Sequence, residues 1–416
     1  MVEPELLVPA GNMEKLKFAV LYGADAVYLG GQNFGLREKA GNFTLAEMEK
    51  AVDFAHQRGV RVYVTVNILA HNDDLKELDQ YIKKLDEINI DAVIVADPGI
   101  FSRVKKVAPE LAIHISTQAN NTNYASVNFW REQGAKRVIL ARELGLKEIK
   151  EIREKTDLEL EVFVHGAMCI SYSGRCLLSN YLADRDANKG LCANSCRWKY
   201  TLMEEKRPGE YYPIEEGKRG TYIFNSKDLN LAKQLPELIA SGVDSFKIEG
   251  RMKSINYVAT VTKVYRKVLD KCKKEGEAEY KVDAQLKDEL KKVSHRGYTT
   301  GFYSGHPEGS EQNYSSSGYI RDYEFLGVVK DYNPATQEAI VEVRNKIWAD
   351  DTVEIFGPKV DSFKQELTYI KNEAGEEIDA APHPHQEIKI KVDKKVEEYS
   401  IIRREKEAKG EKELNR

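Results

Sequence analysis

From residue 5 to about residue 250 the chain alternates short, almost wholly apolar runs with longer amphipathic stretches: "ELLVPA", "DAVYLG", "VRVYVTVN", "DAVIVAD", "LAIHIST", "KRVILAR" and "LEVFVHG" come first. That alternation predicts a parallel sheet of βα units. The runs carry few polar positions, as strands covered on both faces should. Between them the apolar positions take helical spacing, for example Leu45, Met48, Val52 and Ala55, with Gly59 placed to end that helix. "TYIFNS", a helical stretch "LAKQLPELIASG" and a last run "DSFKIEGR" follow, giving nine candidate strands. A (β/α)8 barrel uses eight and leaves one for an insertion after "LEVFVHG", whereas a doubly wound sheet would use fewer. The barrel is the favoured reading, with "TYIFNS" in a hairpin or a distorted closure.

From Arg251 to Gly276 a helix is expected, because Val258, Val261, Tyr265, Val268 and Cys272 recur at spacings of three and four. Its other face carries Lys253, Lys263, Arg266, Lys267 and Lys271, readable as a solvated face or as an RNA-facing one. The polar stretch "YSGHPEGSEQNYSSSG" then marks a link. Beyond it, alternating segments such as "EFLGVVKDYN", "EAIVEVRN", "DTVEIFG" and "EIKIKV" predict a small all-β barrel. The expected organisation is a barrel domain over 1–280 with an insertion at about 165–225, a connecting segment over 281–318, a β domain over 319–403 and a charged tail over 404–416.

Length supports two domains, since single cores stop growing near about 250–300 residues and the chain has 416. A net charge of -4 makes no general claim for nucleic acid, so any RNA contact must be a local patch. The N-terminus lacks a basic region followed by an apolar core, and no run approaches the ~18–20 apolar residues of a membrane span, so a cytoplasmic protein with no membrane partner is expected.

In a reducing compartment, cysteines crowded together read first as a metal or redox site. Four of the chain's five, Cys169, Cys176, Cys192 and Cys196, fall in one segment with spacing Cys-x6-Cys-x15-Cys-x3-Cys. This is not the paired knuckle of zinc ribbons, and four loosely spaced thiolates can reach the corners of a 4Fe-4S cube. Gly166, Gly174 and Gly190 would let backbone approach the sulfurs, and Arg175, Arg197 and Lys199 could offset their charge. Structural zinc stays open as the competing occupant.

"EVFVHGAMCISYSGRCLLS" resembles the signature of the collagenase-like unassigned peptidases, family thirty-two, and the resemblance runs on through "NKGLCANSCRWKY", "SFKIEGRMKS" and "SHRGYTTGFYSG". The close spacing in "CANSC" is similar to that family's RNA-modifying branch. The resemblance implies a 4Fe-4S cluster on Cys169, Cys176, Cys192 and Cys196, tRNA as partner, prephenate as co-substrate and conversion of wobble uridine to 5-hydroxyuridine, with a protein partner or paralogue in some relatives.

In a parallel barrel the chemistry gathers where strands end. Those ends offer Arg37 and Glu38, Asn67, Asp97, Thr117 and Gln118, Arg142 and Glu143, His165, and Glu249 with Arg251. Arg142, His165, Glu249 and Arg251 are nominated for catalysis, and Arg37, Asn67 and Gln118 for substrate. The arginines suit a dicarboxylate such as prephenate. Arg142 with Glu143, or Glu249 with Arg251, reads equally as an ion pair closing the barrel end. For His165, a buried and satisfied side chain is the plainest of three readings, beside an acid and a neighbour of the cluster. Asn67, Gln118 and Asn120 could read a uracil edge or cap helices. Besides the helix, RNA could meet the Trp- and Tyr-bearing insertion, holding Trp198, Tyr200, Tyr211 and Tyr212, or the β domain. Two other functions compete: a peptidase, for which neither a His-Glu-x2-His pair nor a Gly-x-Ser-x-Gly elbow is present, and a metal-stabilised RNA-binding scaffold.

Overall fold

The computed structural model describes residues 3–35, 42–169, 171, 176, 178–183, 185, 192–193, 195–197, 201–203, 211–213, 227–276, 280, 282–305 and 319–406. Eight parallel strands form the first domain: β1 Glu5–Pro9, β2 Ala26–Gly30, β3 Arg61–Val66, β4 Ala92–Val95, β5 Ala112–Ile115, β6 Arg137–Ile139, β7 Glu159–Ala167 and β8 Ser245–Ile248. They pair in chain order, and β8 closes the ring by pairing parallel with both β7 (Ser245 opposite Glu161) and β1 (Ser245 opposite Glu5). The barrel expected from the apolar runs is therefore the fold, and its eighth strand is "SFKI".

The residues "TYIFNS" lie outside the described ones. Just after them Asp228–Asn230 forms a short strand, antiparallel to the end of β7. Thr201–Met203 and Tyr211–Pro213 pair as an antiparallel hairpin in the insertion; Trp198 and Tyr200 beside it are not described.

The helices between strands start where the sequence supplies caps. Thr44 and Glu47 form a capping box before Leu45–His56, and Asp97, a strand-end residue, accepts from Gly99 and Ile100 to start Pro98–Val107. The long helix runs Ile255–Glu275, capped by Ser254 and ended at Gly276, with Cys272 in the core.

The segment expected to be only a connector does more. Residues Ala284–Lys291 form a helix, and Leu286, Leu290 and Val293 join the same apolar core as the barrel, because Leu286 and Leu290 sit one turn apart.

The second domain is an antiparallel half-barrel of eight strands around its own core, which includes Leu326, Val341, Val353, Ile355, Ile390 and Ile402. Its last strand, Ile401–Glu405, extends two residues into the expected tail. Arg404 there pairs with Asp351 and Glu324, so the strand is held by ions where its apolar alternation stops.

The two domains share a contact that consumes the long helix's cations. Lys263 Nζ donates to the carbonyls of Gly357 and Val360, both at 2.5 Å, and Lys267 pairs with Asp361. Arg266 pairs with Asp25 and Asp270, and Lys271 with Asp283. Fully buried Arg403 bridges Glu354 at 2.8 Å and Glu289 at 2.5 Å. The basic face is thus largely spent on internal partners and on the second domain.

Candidate active site

The C-terminal ends of the strands surround a cavity of about 90 Å³, lined by Tyr28, Thr65, Asn67, Ser116, Thr117, Gln118, Arg142, Phe163, Lys247, Glu249 and Arg251. At ~10–15 Å³ per water it holds several waters, enough for a small polar ring or a carboxylate. Arg251 is buried in its wall and donates from Nη1 to Thr65 Oγ1 at 3.2 Å, while Thr65 donates to the Leu29 carbonyl. Two glycines make room for it. A Cβ at Gly30 would lie 2.1 Å from Arg251 Nη1, and one at Gly11 would lie 2.3 Å from the Arg251 carbonyl oxygen.

In the same wall Asn67 donates to Ser116 Oγ at 3.3 Å, and the side-chain carbonyls of Asn67 and Gln118 are buried without partners among the described residues. Asn120 is left-handed at φ 54 and donates to the Gln118 carbonyl, bending the loop that carries Gln118. Arg142 lays its guanidinium 3.9 Å over the Phe163 ring. Its neighbour Glu143 is held above the usual carboxylate range by burial, against the nearby Arg142 charge, and its Oε2 has no hydrogen-bond partner.

The structure therefore brings together Asn67, Thr117, Gln118, Arg142, Glu249 and Arg251. Arg37 and Glu38 lie outside the described residues, Asp97 serves its helix, and His165 is not in the cavity wall. Lys247 and Tyr28 do line it and were not singled out from the sequence: Lys247 sits inside an apolar run, and only strict alternation along "SFKI" would have pointed it inward.

Below the cavity the barrel interior is charged. Arg137 donates from Nη1 to Glu5 Oε1 at 2.6 Å and to Glu161 Oε2 at 3.1 Å, and Lys247 Nζ donates to Glu161 Oε1 at 2.7 Å. Tyr63 and Ser245 donate to Glu5. Burial works against the Arg137 charge, but Glu5 and Glu161 more than reverse it, so Arg137 stays cationic. Burial also lowers Lys247, with Glu161 opposing. Buried His114 is driven well below its ordinary value by burial and by the Arg137 and Lys247 charges, and stays neutral.

His165 faces the helix layer instead. A bulge in β7 sets Val164 and His165 against Ile248, which reverses the side that His165 would otherwise share with Glu161 and Phe163. Tyr265 donates to the Val164 carbonyl at 2.8 Å, so the 3.2 Å contact between His165 Nδ1 and the Tyr265 oxygen assigns the proton to Nδ1. Nε2 is then a buried lone pair without a partner. Burial, then the charges of Lys253 and His295, lowers His165 to about 3. Its folded value lies below the unfolded value of about 6.5, so the unfolded chain binds the extra proton between them and stability is lost as pH falls through that window. His165→Phe should flatten the wild-type dependence of unfolding free energy on pH between about 6.5 and 3 by up to ~1.4 kcal/mol per pH unit. Parallel slopes in chemical denaturation would remove this role.

Cys169 lies two residues past β7, and none of the five cysteines is in a disulfide. Cys176 precedes a short helix, Leu178–Ala183, whose buried Ser179 accepts a hydrogen bond from the Ala193 N–H at 2.8 Å. That bond ties the Cys192 stretch to the Cys176 stretch. Cys169 is exposed as a residue, yet the packed protein around its thiol pushes it up. The Ser171 backbone and the Arg142 charge oppose that shift, and Cys176 and Cys192 are close enough to add to it. Among the described residues no three acidic, histidine or cysteine side chains sit at the spacing one bound ion requires. The fit to a metal group therefore rests on the chemistry of the thiol donor set, whose softness is that of iron–sulfur or zinc ligands.

The family model for peptidase family U32 matches residues 11–313, and that of the family's C-terminal domain matches 321–403. The chain belongs to peptidase family U32. Among its relatives, "tRNA hydroxylation protein P1" of Bacillus subtilis (strain 168) is 45% identical across 97% of this chain and 95% of that protein. "tRNA hydroxylation protein P" of Escherichia coli (strain K12) is 37% identical across 97% of each. The U32 likeness also reaches the E. coli "23S rRNA 5-hydroxycytidine C2501 synthase", 39% identical across 64% of this chain and 39% of that protein.

Proposed function

We propose that this protein is an RNA-modifying enzyme that hydroxylates a pyrimidine ring, and that its reaction converts the wobble uridine of tRNA to 5-hydroxyuridine. The observation that carries the reading is similarity along nearly the whole chain to two relatives named for tRNA hydroxylation. Replacing a ring C–H by C–OH removes two electrons from the base, so the site must hold an oxygen donor beside the ring. The barrel mouth supplies cationic groups for an anionic donor in Arg142 and Arg251, and prephenate, with two carboxylates, is the co-substrate we assign. Asn67 and Gln118 offer amides in the same cavity for a base edge.

Cys169, Cys176, Cys192 and Cys196 are the residues that would hold a 4Fe-4S cluster; when bound, it supplies one-electron chemistry or structural support. Arg142 lines the cavity and also acts on the Cys169 thiol, which makes it the residue connecting the two parts of the site.

The test is nucleoside analysis of bulk tRNA by mass spectrometry, in a strain lacking this gene and its paralogues. Loss of 5-hydroxyuridine and its derivatives, restored by the wild-type gene, is expected. An unchanged nucleoside profile would reject the assignment.

A further inference from the structure

Resting on the reading of the chain as an RNA-modifying enzyme, we propose that the surface formed by Tyr319, Arg321, Lys253 and Arg296 at the rim of the barrel mouth is where single-stranded RNA flanking the target nucleotide is held. Arg251 lines the cavity, and two residues later Lys253 leaves the same turn, its N–H donating to the Gly250 carbonyl at 2.8 Å. Lys253 Nζ lies 4.4 Å from the centre of the Tyr319 ring, the Arg296 guanidinium lies 3.9 Å from it and that of Arg321 lies 5.6 Å away. Three cations therefore gather on one aromatic side chain, one of them two residues along the chain from cavity-lining Arg251.

The charge there differs in kind from that of the long helix. Lys263, Arg266, Lys267 and Lys271 are each matched by a carbonyl or a carboxylate. Lys253 is held by the Ser294 carbonyl at 3.1 Å and by buried Asp228 at 3.8 Å, whereas Arg321 is exposed and has no ion-pair partner among the described residues. An exposed arginine left unmatched beside an exposed aromatic ring is what a phosphate chain needs.

The apolar content of the patch argues for an unpaired strand rather than a duplex. Met252 is 51% exposed, Ile320 38% and Tyr319 36%, three large apolar side chains around one set of charges. Duplex RNA is held by phosphate and ribose contacts, whereas splayed bases find stacking partners on such side chains. The patch is also rigid where it must be. Ile320 exchanges two backbone hydrogen bonds with His295, which itself stacks on Tyr298 at 4.5 Å, so residue 319 is anchored to the barrel domain although it begins the strand leading to the half-barrel.

Binding of an unmodified tRNA transcript, and of its isolated anticodon stem-loop, by full-length wild type, Tyr319→Ala, Tyr319→Phe, Arg321→Glu and Lys271→Ala tests this, with thermal melting to confirm folding. Tyr319→Ala should weaken binding by roughly 5- to 150-fold, with Tyr319→Phe near wild type. Arg321→Glu should weaken it by about tenfold or more at low salt and reduce the salt slope by about one, while Lys271→Ala changes neither. Ultraviolet cross-linking should attach a nucleotide within residues 319–321. Wild type that binds while Tyr319→Ala and Arg321→Glu bind equally well overturns this inference and leaves the hydroxylation reading standing. Wild type that binds neither RNA overturns both.

Discussion

Arg137→Met is expected to destabilise the protein by about 3–5 kcal/mol, measured by equilibrium denaturation in urea. The reason lies in what the substitution leaves behind. Arg137 holds Glu5 and Glu161 from inside the barrel, and both carboxylates are nearly or wholly excluded from solvent. Without the guanidinium, Glu161 keeps, among the described residues, only Lys247 at 2.7 Å as an ion partner, and Glu5 only half-exposed Arg61. Methionine fills part of the space but satisfies neither oxygen. Adding Glu161→Gln to Arg137→Met should recover part of the loss, because the buried negative charge leaves with its partner. A single variant within about 1 kcal/mol of wild type would show that the buried carboxylates are protonated or hydrated and that the ionic layer is not structural.

That layer also bears on function, since Lys247 belongs to both parts. It pairs with Glu161 below and lines the cavity above, with its ammonium 4.6 Å from the Tyr28 ring. Tyr28 is fixed in turn by donating to the Ile248 carbonyl at 3.0 Å. The floor of the mouth is thus set by charges two residues deeper in the strands, and Arg137→Met should disturb cavity geometry as well as stability.

How much of this was readable from the sequence depends on the range of the interaction. The βα rhythm and the closing strand were readable because long apolar runs are local and strong, and strand-end reading found six residues of the mouth for the same reason. The ionic layer was not, because Glu5, Arg137, Glu161 and Lys247 each look like one polar residue at the edge or middle of an apolar run; only barrel closure shows that they meet. His165 was placed on the right strand, but a one-residue bulge turned it towards Tyr265, and nothing in "EVFVHG" announces a bulge. The helix cations looked free because the partners of Lys263 and Lys267 lie about 90 residues further on, in the second domain. Tyr319 lay at the end of a stretch whose Gly and Ser content marks a linker, and its cations come from three separate segments of chain.

Cys176→Ala is the substitution with the largest expected effect on activity: complementation of a deletion strain with it should leave tRNA 5-hydroxyuridine at the deletion level. The expectation follows from where the thiols sit. Burial pushes the Cys169 thiol up, and Cys176 and Cys192 lie within electrostatic reach and add to that shift. A bound cation reverses that shift and deprotonates the set, so three thiols and one gap hold it far less tightly than four. Anaerobically purified wild type should contain iron and acid-labile sulfide, and Cys176→Ala should contain much less of both while retaining its barrel circular dichroism. Zinc in place of iron would move the site to a structural role and detach it from redox chemistry. Full rescue by Cys176→Ala would show that the hydroxylation, wherever it takes place on this chain, runs without the cysteine site.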